Sequence, residues 1–278
     1  MYSVTLDTAD DFEGWRQAAR AMAQADVRPD RINWSVAGTT ADLFANEAPG
    51  ALPPPSAVGS AFTISRAFID LARIAILHSD PARFALLYAL LMQVRHAPHL
   101  LQDKADPLVR RIGELAQAVR RDIHKMRAFV RFREVGNPQD GTTQFVAWFE
   151  PDHHIVRANA GFFVRRFPNM QWSILTPHIS VHWLDGTLHE GPGAHRSDAP
   201  EGDPVEDLWK GYYSAIFNPA RLKIGAMLSE MPRKYWRNLP EAALIPGLIA
   251  GAQAREAAMI AADPLPHPTK PDRSTSAR

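Results

Sequence analysis

A change of hydrophobic period within residues 106–150 constrains the fold of this 278-residue chain more than any other feature. Residues 106–126, DPLVRRIGELAQAVRRDIHKM, place apolar side chains at helical spacing, with an aspartate in the cap position and a proline in the first helical position. Over residues 127–133, RAFVRFR, the spacing becomes two, which is typical of a strand. We therefore predict a long helix that leads directly into the first strand of a sheet. The buried stripe of this helix comprises Leu108, Ile112, Leu115 and Val119.

The residues that follow predict two hairpins with a helix between them. Residues 126–150 form the first hairpin around the turn sequence GNPQDG, and residues 170–186 form the second. Residues 152–167 return to helical spacing after Asp152, which we predict as the helix cap. This order favours the α+β class, with an antiparallel sheet of two hairpins and helices packed mainly on one face. In the first strand we expect the arginines to face outward and the core to contact Ala128, Val130 and Phe132.

The remaining elements complete a single predicted α+β domain over residues 1–262. Its N-terminal subregion, residues 1–60, contains the strands YSVTL and INWSVAG, an amphipathic helix and a proline-rich loop. The apolar face of that helix comprises Phe12, Trp15, Ala19 and Met22. The main region, residues 61–262, has a helical C-terminal part, and its further predicted helices cover 64–78, 81–95 and 203–217. Residues 263–278 are rich in proline and polar residues, so we expect a disordered tail or a linker.

The composition excludes several kinds of chemistry. The chain has no cysteine, which excludes disulfides, thiol nucleophiles, cysteine-ligated zinc and ordinary iron–sulfur clusters within it. It also has no glycine-rich phosphate loop and no G-x-S-x-G nucleophile motif, and we expect neither a cofactor nor a bound metal. The acidic N-terminal segment and the lack of an apolar run of about 20 residues predict a cytoplasmic protein without a membrane span.

Positive charge is concentrated between residues 110 and 134, although the net charge of the chain is only +1. Arginine forks bind phosphates, and an aromatic ring beside them can stack on an unpaired base. Two further sequences, FFVRRF and MPRKYWRN, would extend this surface if the fold brings them together. The predicted nucleic-acid-binding residues are Lys125, Arg127, Phe129, Arg131, Arg165, Arg166, Arg221, Lys234 and Trp236. An ordinary exposed sheet face, with the aromatic residues in the core, explains the same pattern.

The histidines support a second hypothesis, an enzyme that acts on a nucleotide or a nucleic acid. His153 and His154 adjoin at a predicted helix start, where either one is a candidate general acid or base. Arg131 and Arg166 would act as the anion clamp of such an enzyme. A polar capping or surface role for both histidines is the alternative.

Five ordered motifs carry a resemblance to a known family: RRDIHKMRAFVRFREV, FVAWFEPDHHIV, FFVRRFPNMQWSILTP, LWKGYYSAIFNPARL and MPRKYWRNLPEA. The chain resembles a bacterial family of DNA metabolism proteins over roughly residues 60–250. Members of that family accompany a radical-SAM protein of DNA modification or repair. In longer relatives the same region precedes a uracil-DNA glycosylase-like, uracil-DNA-binding half. The sequence given ends at Arg278, and the glycosylase motifs are absent from it, so we expect a stand-alone member or the N-terminal part of a fusion, without glycosylase chemistry in these residues.

The resemblance implies a role in DNA repair or DNA metabolism. The leading hypothesis is therefore a DNA-binding accessory domain for single-stranded or damaged DNA, which favours a binding module over an enzyme. The repair chemistry would come from the radical-SAM partner or from a fused glycosylase-like domain, and phosphate contacts would make DNA affinity strongly salt-dependent. A protein-interaction scaffold for the radical-SAM partner is the third hypothesis.

Overall fold

The computed structural model describes residues 1–38, 63–136, 143–199, 231–239, 242, 244–247 and 250–251. The chain divides into two compact units, Met1–Glu201 and Gly202–Arg278. Several predicted features lie outside the described residues, namely the loop at 46–60, the helix at 203–217 and the tail at 263–278. The prediction of a single domain up to residue 262 stays a prediction.

The first unit begins with two parallel strands joined through a helix. Strands β1 (Tyr2–Leu6) and β2 (Ile32–Val36) pair in parallel, and α1 (Phe12–Gln24) connects them. The Asp11 carboxylate accepts a hydrogen bond from the Gly14 amide at 2.8 Å, so it caps α1 and satisfies an amide that the helix cannot. Both predicted strands are confirmed, and so is the buried face of α1, which comprises Phe12, Trp15, Ala19 and Met22.

Three further helices pack together after the N-terminal strands. They are α2 (Arg66–Ala75), α3 (Arg83–His96) and α4 (Pro107–Phe129). Helix α4 contacts both α2 and α3, while α3 also contacts α1 and β2. The predicted cap of α4 is confirmed, because Asp106 accepts from the Leu108 and Val109 amides at 2.8 and 2.9 Å. None of the described helices has both the length and the apolar character that a bilayer-crossing segment needs.

The predicted transition from helix to strand at residue 127 is wrong, because α4 continues to Phe129 and strand β3 is Arg133–Gly136. Met126 is fully buried and Val130 is nearly fully buried. Val130 follows Met126 by four positions, which is the helical spacing. The Val130 amide also donates to the Met126 carbonyl at 3.0 Å. Ala128, which we expected in the core, is exposed. The segment RAFVRFR fits both periods over a few residues, and the contacts of Met126 favour the helix.

A mixed sheet of five strands follows in the described part of the chain, in the order β3-β4-β5-β6-β7. The strands after β3 are β4 (Thr143–Trp148), β5 (Gln171–Leu175), β6 (Ile179–Leu184) and β7 (Thr187–Pro192). The α+β class and both predicted hairpins, β3–β4 and β5–β6, are confirmed. The sheet is not purely antiparallel, since α5 (Val156–Arg166) returns the chain so that β4 and β5 pair in parallel. Strand β7 was not predicted.

Candidate functional site

Helices α4 and α5 lie side by side and run in the same direction. The Asp122 carboxylate on α4 accepts a hydrogen bond at 3.0 Å from the amide of His153, a residue just before α5. Further along both helices, Arg127 Nε donates to Asn159 Oδ1 at 2.8 Å. The ring of Phe132, just after α4, lies 5.4 Å from the ring of Phe167, the residue that ends α5. The C-terminal ends of the two helices therefore lie at the same end of the pair.

Two of the predicted phosphate ligands make contacts inside the protein. The Arg131 guanidinium donates to the Ala128 carbonyl at 2.6 Å, which satisfies an acceptor at the C-terminal end of α4. Arg127 binds Asn159, and its guanidinium lies 4.8 Å from the centre of the Phe162 ring. Phe129 lies in the last turn of α4 rather than on a strand face. The predicted strand face of Arg127, Phe129 and Arg131 is therefore not formed.

Other cations of this region remain on the surface of α4 and α5. We define the basic face as Arg120, Arg121, Lys125, Arg165 and Arg166. Lys125 is half-buried and the four arginines are exposed. None of the five pairs with a carboxylate among the residues that the structure describes. Arg127 reaches from α4 to the ring of Phe162, one turn before Arg165.

The second unit contains two more of the predicted DNA contacts. Lys234 and Trp236 lie in a short 3-10 helix, Arg233–Asn238. The Lys234 ammonium lies 4.6 Å from the centre of the Tyr235 ring, and Trp236 Nε1 donates to the Met231 carbonyl at 3.0 Å. Tyr235 is buried, which fits the alternative that these aromatic residues belong to the core. Trp236 is only half-buried and fits that alternative less well. Arg221 lies outside the described residues.

A cavity of about 430 Å3 contains both predicted catalytic histidines. Four segments form its walls: the loop after β1, the end of β2, the β5–β6 turn and the start of α5. Asp152 does not cap α5, because the helix begins at Val156 and Ile155 in the cap position provides no side-chain acceptor. The Asp152 amide instead donates to the buried Asp122 carboxylate at 2.9 Å. That contact and the one from the His153 amide hold the two histidines at the cavity.

The two histidines have different environments. Burial, and then the charge of Arg83, lowers the pKa of His154 from 6.5 to about 4, so its imidazole is neutral at pH 7. His153 Nδ1 lies 3.1 Å from the Ser79 hydroxyl, and its ring packs 4.1 Å from the ring of His78. His153 is thus tied to the α2–α3 connection. His154 has no side-chain hydrogen bond to another described residue and faces the cavity.

Arg157 is the cavity residue that the sequence did not reveal. Its Nη1 donates to Asp10 Oδ1 at 2.6 Å, and its Nε lies 2.9 Å from both oxygens of Glu190. Arg157 follows His154 by three positions at the start of a helix, which is the signal that would have placed both on one face. The expected anion clamp of Arg131 and Arg166 is not assembled beside the histidines, because Arg166 lies at the far end of α5. That helix of 11 residues is about 16 Å long.

Two structural details bear on metals and on the shape of the cavity. In the part of the chain that the structure describes, no group of three or more metal-ligating side chains is arranged to hold an ion. The buried Arg83 donates to the carbonyls of Ile76, Asp80 and Ala9 at 2.7, 3.0 and 2.8 Å. Burial lowers the pKa of Arg83 to about 10, so it stays charged at neutral pH. Its contact with Ala9 positions the loop after β1, which is one wall of the cavity.

Residues 81–241 match the model of a protein family described as a domain of unknown function, DUF4130. The match spans more than half of the chain, from α3 through the basic face to the 3-10 helix of the second unit. It includes the His153 and His154 wall of the cavity and leaves out the wall after β1. No curated protein and no solved structure matches the chain.

Proposed function

The chain belongs to the DUF4130 family, and we propose that this member is a DNA-binding accessory protein of DNA metabolism. The observation that carries the proposal is the basic face, whose five cations have no carboxylate partner among the described residues. The resemblance of the five motifs to DNA metabolism proteins supports the same role. Single-stranded or damaged DNA would be the ligand, and a radical-SAM partner or a fused glycosylase-like domain would supply the chemistry.

Exposed arginines without a carboxylate partner among the described residues suit a phosphate backbone. Each bound phosphate releases condensed counterions, which is the main source of affinity in binding that does not depend on sequence. Arg127 donates to the Asn159 side chain, and Arg131 donates to a carbonyl at the negative end of the α4 dipole, so both guanidinium groups already have partners within the protein. The cations of the basic face are therefore the better candidates for phosphate contacts. The half-buried ring of Phe162, next to Arg127, is a second candidate platform for an unpaired base besides Phe129.

Phosphate chemistry at the cavity is supported less well than binding at the basic face. An enzyme that acts on phosphates needs a cationic clamp beside its acid or base. The one arginine near His153 and His154 in the described cavity wall, Arg157, is already neutralised by Asp10 and Glu190. We therefore place the nucleic-acid contact on the basic face.

Fluorescence anisotropy with labelled single- and double-stranded oligonucleotides over a series of salt concentrations tests the proposal. The test variant is Arg121→Gln with Arg165→Gln. For single strands, each lost phosphate contact lowers the slope of log affinity against log salt by about 0.7, so the double variant should lower it by about 1.4. The matched control, Arg16→Gln with Arg66→Gln, removes two exposed arginines that pair with Glu13 and Asp70 and should leave the slope unchanged.

Undetectable binding of both oligonucleotides at low salt would overturn the proposal. Equal slopes for the test and control variants would overturn the assignment to the basic face. Capture of the radical-SAM partner by a chain without DNA affinity would support the scaffold hypothesis instead.

A further inference from the structure

The cavity that contains His154 has chemistry that the DNA-binding proposal does not use. Its volume of about 430 Å3 lies in the usual range for small-molecule sites, which is about 300 to 1,000 Å3. It lies where the parallel strands β1 and β2 end, the edge at which ligands bind in sheets of this kind. Its apolar wall comprises Val36, Ala37, Pro151, Val156 and Ile179.

The charges around the cavity disfavour an anionic ligand. Asp7 and Asp10 both line it, and Arg157 is the one lysine or arginine among its described lining residues. Arg157 pairs with Asp10 and Glu190, so no surplus positive charge faces the space. A phosphate or carboxylate would have to approach these carboxylates, and that repulsion makes its binding unfavourable.

The polar groups of the cavity instead offer acceptors and donors together. The carboxylates of Asp7 and Asp10 accept hydrogen bonds, while the neutral imidazole of His154 provides one donor and one acceptor. The first amides of α5 are additional donors, since Ile155 at the cap position has no side-chain acceptor. The ring of His178 lies 6.3 Å from the ring of His154, so flat groups also border the space.

We propose that this cavity binds a nucleobase that carries an exocyclic amino group, as adenine and cytosine do. In such a base the amine lies next to a ring nitrogen that accepts, and this pair complements a carboxylate next to an N–H donor. The flat, uncharged ring fits between the apolar wall and the imidazoles. The site lies at the start of α5, whereas Arg165 and Arg166 of the basic face lie at the end of that helix. The inference does not rest on DNA binding.

Isothermal titration of the full chain with free nucleosides at pH 7.5 tests this site. Adenosine and inosine differ in the exocyclic amine, as do cytidine and uridine, so each pair isolates the predicted contact. We expect adenosine and cytidine to bind with dissociation constants of about 1 mM or tighter. Inosine and uridine should bind at least about tenfold more weakly, because each places a carbonyl oxygen against a carboxylate.

The variant Asp10→Asn reports on the contact itself. It keeps the shape of the side chain and an oxygen for Arg157, but its charge is lost, so the ratio of adenosine to inosine affinity should fall towards one. His154→Gln should weaken the binding of both nucleosides. The control Asp70→Asn removes an exposed carboxylate from α2 and should keep the wild-type ratio, and a thermal melt establishes that each variant is folded.

Absence of heat with all four nucleosides, or equal affinities for adenosine and inosine, would overturn the inference. Displacement of adenosine by an aliphatic amine at equal concentration would also overturn it, since that result indicates a simple cation site. Competition by an oligonucleotide with one unpaired adenine supports the site with a nucleic acid as the source of the base, and failure to compete supports it with a free nucleoside. The variant Arg121→Gln with Arg165→Gln should bind adenosine normally, so failure of the DNA-binding proposal is distinguishable.

Discussion

His154 is a polar residue that the fold holds in a half-buried position with a neutral ring. Burial is the largest reason that its pKa lies at about 4, and the charge of Arg83 adds to the effect. In the unfolded chain the same imidazole takes up a proton near its ordinary pKa of 6.5. The sequence identified His153 and His154 as a pair, but it could not tell which one would be tied to Ser79 and which one would face the cavity. That difference comes from contacts 74 positions away in the chain.

The stability of the protein should fall on acidification from about pH 6.5 to pH 4. In this window the unfolded chain binds a proton at His154 that the folded chain does not, so unfolding becomes more favourable as the pH falls. Burial also lowers the pKa of His78 and of His182, and both act in the same direction. Urea unfolding at several pH values should show a shallower loss for His154→Gln than for the wild type.

The exposed His96 offers the matched control for that series, because His96→Gln removes an imidazole from the surface at the end of α3. The control should follow the wild-type pH dependence. If His154→Gln loses stability over this window as steeply as the wild type, the half-buried neutral state of His154 is wrong.

At the scale of the elements, local signals defined the start of α4 better than its end. Asp106 and Pro107 specified the first turn of α4, because a cap and a preset backbone angle act within a few residues. The end of α4 depends on the burial of Met126 and on the bond from Arg127 to α5, which are contacts between elements. The parallel pairing of β4 with β5 has the same cause, since the return of the chain through α5 cannot be read from either strand alone. The exposed sequence of β7 lacks the alternation that reveals a strand.

Arg131→Ala should destabilise the end of α4 while changing DNA affinity little. Its guanidinium donates to carbonyls in the last turn, where a cation is worth about 0.3–1 kcal/mol. For a chain of this size a loss of 1 kcal/mol lowers the melting temperature by roughly 2–4 °C. Arg165→Ala is the comparison, since Arg165 is exposed in the last turn of α5 and should lose more DNA affinity than Arg131→Ala. Thermal unfolding and anisotropy on both variants check the assignment, and the opposite order of DNA affinities would refute it.

At the scale of the whole molecule, the hydrophobic pattern was enough to predict the α+β class and most of the core. The cavity was beyond its reach because its walls come from separate parts of the chain. Arg157 and Asp10, for instance, are 147 positions apart and meet at 2.6 Å. No spacing rule connects such residues. Without Arg157 we predicted the anion clamp at Arg131 and Arg166, and Arg166 lies at the other end of α5. The prediction that depended on local charge, nucleic-acid binding by the cations near α4, stays a prediction.

The fragment Met1–Glu201 should fold by itself, because it forms a compact unit. The fully buried Trp15, Tyr88 and Trp172 belong to it, as does the whole sheet of five strands in the described part of the chain. We expect one cooperative urea transition, with a slope of about 1–3 kcal/mol per M, that coincides by circular dichroism and by tryptophan fluorescence. The full chain, measured in parallel, is the control. A fragment that binds hydrophobic dyes and loses its structure gradually would contradict an independent first unit, and it would support the single domain up to residue 262 that the sequence predicts.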